Sequence, residues 1–393
     1  MRPAALSTAL LCACGPALAP SFSATALNPV APAVQGSCHA SPPRWEPGRR
    51  AFIDVTAGVG LEGVTGTRLA AADVDGDGWA DLAVRVVGST PDDFGADGGQ
   101  RTWLMKNQGG GTFTDVTVAS GVRATRQGSP LGRPGEVWAF ADVDNDGDAD
   151  LYTGISAAAG SPLAGETAEV LLNSGEGRFT LGPSDHSLRR VGEVDPVSGA
   201  SFVDFDRDGR VDLWVARGSD GAGPVQDHLY RGDGTGRFTE VTSAQGLTTR
   251  PWVSSDDLNA GLAHTNAWSA LACDLDGDGD PELLAASYGR APNHLWQASR
   301  DGGVGFINRS VASGYAFDSD QEWRDNQFAR CYCQANPTAP DCASVPAPNL
   351  AQCSANWNHA NDRMPFRLGG NSGTTVCADV DGDGRLDLLT TEI

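Results

Sequence analysis

Apolar residues in this chain come in short runs, such as Leu82-Ala-Val-Arg-Val-Val87, Leu213-Trp-Val-Ala216, Leu283-Leu-Ala-Ala286 and Leu388-Leu-Thr-Thr391. Runs this short, mostly bounded by Gly or Ser, predict strands rather than helices. A second pattern alternates apolar and polar positions: Phe52-Ile-Asp54-Val-Thr56, repeated as Phe113-Thr-Asp115-Val-Thr117, Phe238-Thr-Glu240-Val-Thr242 and, less faithfully, Phe306-Ile-Asn308-Arg-Ser310. A third joins an apolar run to a Gly-rich turn: Trp103 to Gly111, Val170 to Gly177 and His228 to Gly236. One unit therefore predicts strand, acidic loop, strand, connection, strand, Gly turn, strand, which is the content of a four-stranded antiparallel blade.

The acidic loop fixes the repeat. It reads Asp-x-Asp-x-Asp-Gly-x-x-Asp and occurs five times: Asp73, Asp75, Asp77, Asp81; Asp142, Asp144, Asp146, Asp150; Asp204, Asp206, Asp208, Asp212; Asp274, Asp276, Asp278, Glu282; and Asp379, Asp381, Asp383, Asp387. Successive loops start 69, 62, 70 and 105 residues apart. Self-similarity at such a period predicts a propeller or a linear array. Carboxylates at positions 1, 3 and 5 converge only if the chain wraps around a point, and the Gly at position 6 permits that turn. Ca²⁺ takes roughly 6–8 oxygen ligands at about 2.3–2.6 Å, and a flexible all-oxygen loop favours it over Mg²⁺. Position 9 is expected to close each site as a bidentate carboxylate. Position 7 (Trp79, Asp148, Arg210, Asp280, Arg385) is expected to add a backbone carbonyl. Four carboxylates per loop without a cation would repel one another. Up to five Ca²⁺ are expected.

Position 10 is Leu in every copy (Leu82, Leu151, Leu213, Leu283, Leu388) and position 2 is always apolar (Val74, Val143, Phe205, Leu275, Val380). An EF-hand would put its last acid at position 12 and run into a helix; these loops run into strands. With loop and flanking strands together, the units resemble the FG-GAP/VCBS repeats of integrin-α-like and cartilage-acidic-protein-like β-propellers. The resemblance implies an all-β propeller with five recognisable blades, six or seven in a complete protein, and loops that join the first two strands of each blade.

Composition refines this reading. The chain has 393 residues, 40% apolar and 20% charged, enough to build a core. Its net charge is −22, and the twenty loop acids nearly account for the excess. With no basic stripe, a nucleic-acid partner is not expected. Residues 1–14 read as an export signal, with Arg2 ahead of the apolar Ala4 to Leu11. Leu11-Cys12-Ala13-Cys14 resembles a bacterial lipobox with Cys14 as the lipidated residue, although Cys12 departs from its pattern. Cleavage after Ala24 or Ala26 is the alternative. Any membrane attachment is expected through that lipid alone. Residues 15–50, rich in Ala, Pro and Ser, read as a tether, and residues 51–393 as the propeller.

Two irregularities stand out. A loop-rich insertion at about 316–371 carries Cys331, Cys333, Cys342 and Cys353; disulfides among them are expected, and a zinc site is the alternative. The Phe52 pattern has no acidic loop before it and is expected to be an outer strand that completes the last blade, in a chain that looks incomplete at its C-terminus. Arg231-Gly232-Asp233 is read as a turn rather than an adhesion motif. His228 and His294 hold equivalent places and read as structural; His264 and His359 fall outside the pattern and could line the ring's face. Two functions fit: a secreted or surface-lipoprotein binding module for an extracellular protein or glycan, or an exported propeller enzyme, a hydrolase or lyase on polysaccharide, with structural Ca²⁺. A polar cluster in a central pocket away from the loops would favour the enzyme.

Overall fold

A computed structural model describes residue 48 and residues 52–86, 99–133, 135–155, 166–191, 193–289, 291–299, 305–319, 321–350, 352–353, 357–365 and 372–392. The export signal, Cys14 and nearly all of the tether lie outside them. Among the described residues, eighteen strands form five antiparallel sheets. Blade 1 is β1 (Arg68–Ala72), β2 (Asp81–Arg85), β3 (Thr102–Asn107) and β4 (Phe113–Asp115). Blade 2 is β5 (Val137–Ala141), β6 (Asp150–Gly154), β7 (Glu169–Asn173) and β8 (Phe179–Leu181). Blade 3 is β9 (Val197–Val203), β10 (Asp212–Arg217), β11 (His228–Gly232) and β12 (Phe238–Glu240). Blade 4 is β13 (Asn266–Cys273), β14 (Glu282–Tyr288), β15 (His294–Ala298) and β16 (Phe306–Asn308). The fifth sheet pairs only β17 (Ser372–Ala378) with β18 (Asp387–Glu392). The fold is a β-propeller of four-stranded blades.

Strand alternation explains how the blades stack. Leu213 and Val215 of β10 join the core with blade 2, whereas Trp214 and Ala216 join the core with blade 4. A strand buried on both faces needs a continuous apolar run, which is what this sequence supplies. The loop flanks obey the same rule. Position 10 packs on the preceding blade (Leu151 with blade 1, Leu213 with blade 2, Leu283 with blade 3), and position 2 packs on the following one (Val74, Val143, Phe205). Trp214 adds a cross-blade hydrogen bond, its Nε1 donating to the Leu284 carbonyl at 2.9 Å. Where the described residues supply no neighbouring blade, the same positions face solvent: Val380 is 69% exposed.

The Phe52 segment departs from expectation. Residues 52–55 form no strand; Phe52 is 91% exposed, and Thr56–Val59 make a 3₁₀ turn. The second half of the pattern is nevertheless native to every copy. The residue two before the Thr or Ser accepts that residue's N–H: Asp54 from Thr56 at 2.9 Å, Asp115 from Thr117 at 2.9 Å, Glu240 from Thr242 at 2.7 Å and Asn308 from Ser310 at 2.9 Å. In the three blades the Thr or Ser hydroxyl then accepts a strand-3 N–H, from Leu104, Leu229 or Leu295. The turn needs only local groups, whereas a strand needs a partner ladder, which the described residues do not offer Phe52. The turn still docks like its counterparts. A Cβ on Gly60 would lie 2.5 Å from the Phe113 carbonyl, as one on Gly121 would lie 2.4 Å from that of Phe179. Phe52–Gly60 thus docks on the outer strand of blade 1 as the turn after blade 1 docks on that of blade 2.

The insertion is not wholly loop. It contains the helix Gln327–Ala335, capped by Asn326, whose side chain accepts the Phe328 N–H at 2.9 Å. Its four cysteines form the disulfides Cys331–Cys353 and Cys333–Cys342, which overturns the zinc alternative because a disulfide sulfur is no thiolate ligand. A third disulfide, Cys273–Cys377, joins blade 4 to the fifth sheet across 104 residues.

Candidate metal centres

Each acidic loop connects the first two strands of a sheet, and all five are built alike. The position 1 carboxylate accepts the N–H groups of positions 5 and 6, at 3.1 and 2.8 Å for Asp73, 3.1 and 3.0 Å for Asp142, and 3.0 Å for both at Asp204. Asp274 and Asp379 do the same. The position 5 carboxylate accepts the N–H of position 7, as Asp77 does from Trp79 at 2.9 Å and Asp383 from Arg385 at 2.8 Å. Position 9 is a strap. One oxygen accepts the position 2 N–H, in Asp81, Asp150, Asp212, Glu282 and Asp387. In blades 1 to 3 the other oxygen accepts an N–H of strand 3, from Asn107, Asn173 or Gly232 at 2.7–2.9 Å. The last acid of the loop therefore stitches strands 1, 2 and 3 together. Each of its oxygens keeps one further lone pair for a cation.

The loop needs two left-handed residues. Position 6 is the expected Gly, and position 4 also has positive φ: Gly76, Asn145, Arg207, Gly277 and Gly382, with φ of 60° at Asn145 and 57° at Arg207. Sequence reading overlooked position 4, although four of its five residues are Gly or Asn, the types that tolerate this conformation. Arg207 reaches from there to the next blade's loop, where it pairs with Asp280 at 2.7 Å and donates to the Asp278 carbonyl at 3.1 Å.

The residues present fit a hard cation. One oxygen of the position 3 carboxylate is buried without any hydrogen-bond donor in blades 1, 2 and 3 (Asp75, Asp144 and Asp206). Burying an unpaired acceptor is costly, and a bound cation would remove the cost. Ligand oxygens of Asp73, Asp75 and Asp81 lie close enough to share one ion, as do those of Asp142, Asp144 and Asp146, of Asp204, Asp206 and Asp212, and of Asp274, Asp276 and Glu282. Burial, reinforced by the neighbouring acids, pushes the position 9 carboxyls of Asp150, Asp212 and Glu282 up to about 7. These loops can hold metal.

The opposite ends of the strands carry a different chemistry. Glu169, fully buried at the start of β7, is held by Arg126 at 2.8 Å and Arg189 at 2.7 Å. Arg217 at the end of β10 pairs with Asp195 at 2.7 Å and approaches His228 Nε2 at 2.9 Å. Burial, aided by Arg217, holds His228 near 4, and burial with nearby His264 holds His294 near 4. Both read as structural in the sequence, and both are buried. His264 Nδ1 meets the Thr249 hydroxyl at 2.5 Å. His359 lies in the insertion, stacked on Tyr332 with ring centroids 4.3 Å apart and bonded to Asp341 at 3.0 Å. Its two ring nitrogens are both engaged, since Trp357 Nε1 donates to Nδ1. His264 and His359 thus keep different partners. Arg231 of the Arg-Gly-Asp tripeptide pairs with Asp206 at 2.5 Å, and Asp233 accepts the Thr235 N–H at 2.9 Å, so the tripeptide is a strand end and its turn.

The chain matches the FG-GAP-like repeat family over residues 204–285 and the FG-GAP repeat family over residues 65–105. These segments contain the first, third and fourth loops. Over 169 residues, 40% of this chain, it is 29% identical to the phosphatidylinositol-glycan-specific phospholipase D of Mus musculus, and that match spans 19% of the relative's length. Among solved structures it resembles an Agrocybe aegerita lectin described as recognising non-reducing terminal N-acetylglucosamine, with a TM-score of 0.36 and 18% identity over 63% of this chain and 55% of that one.

Proposed function

We propose that this chain, an FG-GAP repeat protein folded as a β-propeller of four-stranded blades, is an exported interaction module whose loops bind Ca²⁺ and whose blade surface binds an extracellular glycan or protein. The observation that carries the calcium reading is the buried, donor-less oxygen of Asp75, Asp144 and Asp206, repeated in three blades at the centre of an all-oxygen ligand set. Ca²⁺ would supply charge neutralisation among four carboxylates. The residues that would hold it are the acids at positions 1, 3, 5 and 9 of each loop. Their place within every blade, rather than once in a pocket, suits a structural ion.

Export is supported by the three disulfides, which persist in oxidising compartments. No helix among the described residues is long and apolar enough to cross a membrane. We infer attachment through a lipid on Cys14.

Isothermal calorimetry and thermal melting test the calcium reading. Calcium uptake and a melting temperature lowered by EDTA are expected. No uptake and an EDTA-insensitive melt would refute it. A glycan array, probed with and without EDTA, tests the choice of ligand; capture on no glycan would leave a protein partner as the reading.

A further inference from the structure

The loops of blades 1 to 4 share a backbone but not the side chain that strand 3 lays over them. The position one residue before the end of strand 3 is Lys106 in blade 1, Leu172 in blade 2, Arg231 in blade 3 and Gln297 in blade 4. Register shows the equivalence, since these residues face Thr114, Thr180, Thr239 and Ile307 of the outer strand. Each polar one reaches the position 3 acid of its own loop. Lys106 pairs with Asp75, and its ammonium is 3.5 Å from Asp77 as well. Arg231 pairs with Asp206 at 2.5 Å, with its guanidinium over the Phe205 ring at 5.5 Å. Gln297 donates a neutral amide hydrogen to Asp276 at 2.9 Å. Leu172 can do none of this.

We propose that Lys106 and Arg231 are built-in counter-cations that lower the Ca²⁺ affinity of the first and third loops relative to the second, so that the propeller fills in stages. The inference rests on the calcium reading above. Its physical basis is a difference between two states. A fixed positive charge beside four carboxylates stabilises the empty loop strongly. Once a divalent ion has neutralised half of that charge, the same side chain gains less or is repelled outright. Either way the difference is subtracted from the ion's binding free energy. The third loop carries a second such group, because Arg210 pairs with Asp208 at 3.1 Å from a more exposed position, where screening weakens it. The same cations hold loops one and three in shape when calcium is scarce, a role the second loop has no side chain to perform at this position.

The test is a calcium titration of the full chain by calorimetry after chelator treatment. Wild type should bind in at least two affinity classes. Lys106→Leu and Arg231→Leu should each move one site from the weak to the tight class, by about tenfold, or ~1.4 kcal/mol. Leu172→Lys should move one site the other way by a similar factor. Lys106→Gln, which keeps reach and polarity without charge, should act like Lys106→Leu and guards against a packing defect. In EDTA the melting temperature should fall in Lys106→Leu and Arg231→Leu even as their affinity for calcium rises, a pairing of effects that simple loss of packing does not give. An isotherm unchanged by all four substitutions would overturn the inference while leaving calcium binding intact. Absence of uptake in wild type and variants alike would instead overturn the calcium reading.

Discussion

Replacing both Cys273 and Cys377 with Ala should free the fifth sheet first. The disulfide ties the last residue of β13 to β17 across 104 residues. In the chain-entropy account, cross-linking a loop of about 100 residues stabilises the native state by about 4.7 kcal/mol at 25 °C, an upper figure for this bond. The bond matters here because so little else holds the sheet. On the blade 4 side, Leu388 and Cys377 pack with Leu284 and Leu295. Nothing among the described residues covers the other flank, where Leu389 is 61% exposed. A sheet buried on one face gains roughly half the apolar burial of β10, which is packed on both. Its backbone must still be ordered at about 1–2 kcal/mol per residue. Urea unfolding should therefore show a lower midpoint in the double variant. Hydrogen exchange should show early loss of protection in Ser372–Glu392, with β9 to β12 unchanged. Removing Cys331–Cys353 instead should loosen the insertion and leave the fifth sheet protected. If the double variant keeps the wild-type midpoint and full protection in β17 and β18, packing alone holds the sheet and the reasoning fails.

Three further outcomes are expected. Asp208→Ala should lower the melting temperature in calcium, through loss of the stabilisation from one site (about 2.7 kcal/mol when free calcium is a hundredfold above its dissociation constant), and should lower it much less in EDTA. His294 is buried and held near 4, below its unfolded value near 6.5, so its neutral form is the one the fold favours. Its contribution is intact above pH 6.5 and is lost as pH falls toward 4, by roughly 3 kcal/mol at about 1.36 kcal/mol per pKa unit; His294→Phe should flatten that part of a pH–stability curve, and an unchanged slope would refute the assignment. A palmitate analogue fed to cells should label the wild-type protein and not Cys14→Ser, and equal labelling of both would remove the lipid anchor.

Most of the fold and nearly all of the candidate sites were legible in the sequence, because each loop writes its ligands within nine residues. Positions 1, 5 and 6 satisfy one another through local backbone bonds, as at Asp73, Asp77 and Gly78. The same locality explains the Thr56 turn, which forms from its own residues, and the Phe52 strand, which was expected and does not form because a strand is made by its neighbour. β8 was overlooked, since Phe179-Thr-Leu181 lacks the polar residue and following Thr or Ser of the other outer strands; its backbone is nevertheless held as theirs is, the Gly182 N–H bonding to the Val170 carbonyl at 2.8 Å as those of Val116, Val241 and Arg309 bond to Leu104, Leu229 and Leu295.

What only the tertiary structure decided lies across strands and blades. The second strap of position 9 to Asn107, Asn173 or Gly232 depends on the register of strands 2 and 3. The choice of Lys106 as the partner of Asp75, 31 residues away, depends on the same register. Cys273 finds Cys377 because blade 4 stacks on the fifth sheet, not because anything near either cysteine marks the other. Local patterns set backbone conformation through dihedral preference and short-range hydrogen bonds. Which side chain covers which loop follows from pairing and stacking, and a one-residue shift in register would turn Lys106 to the opposite face of its sheet.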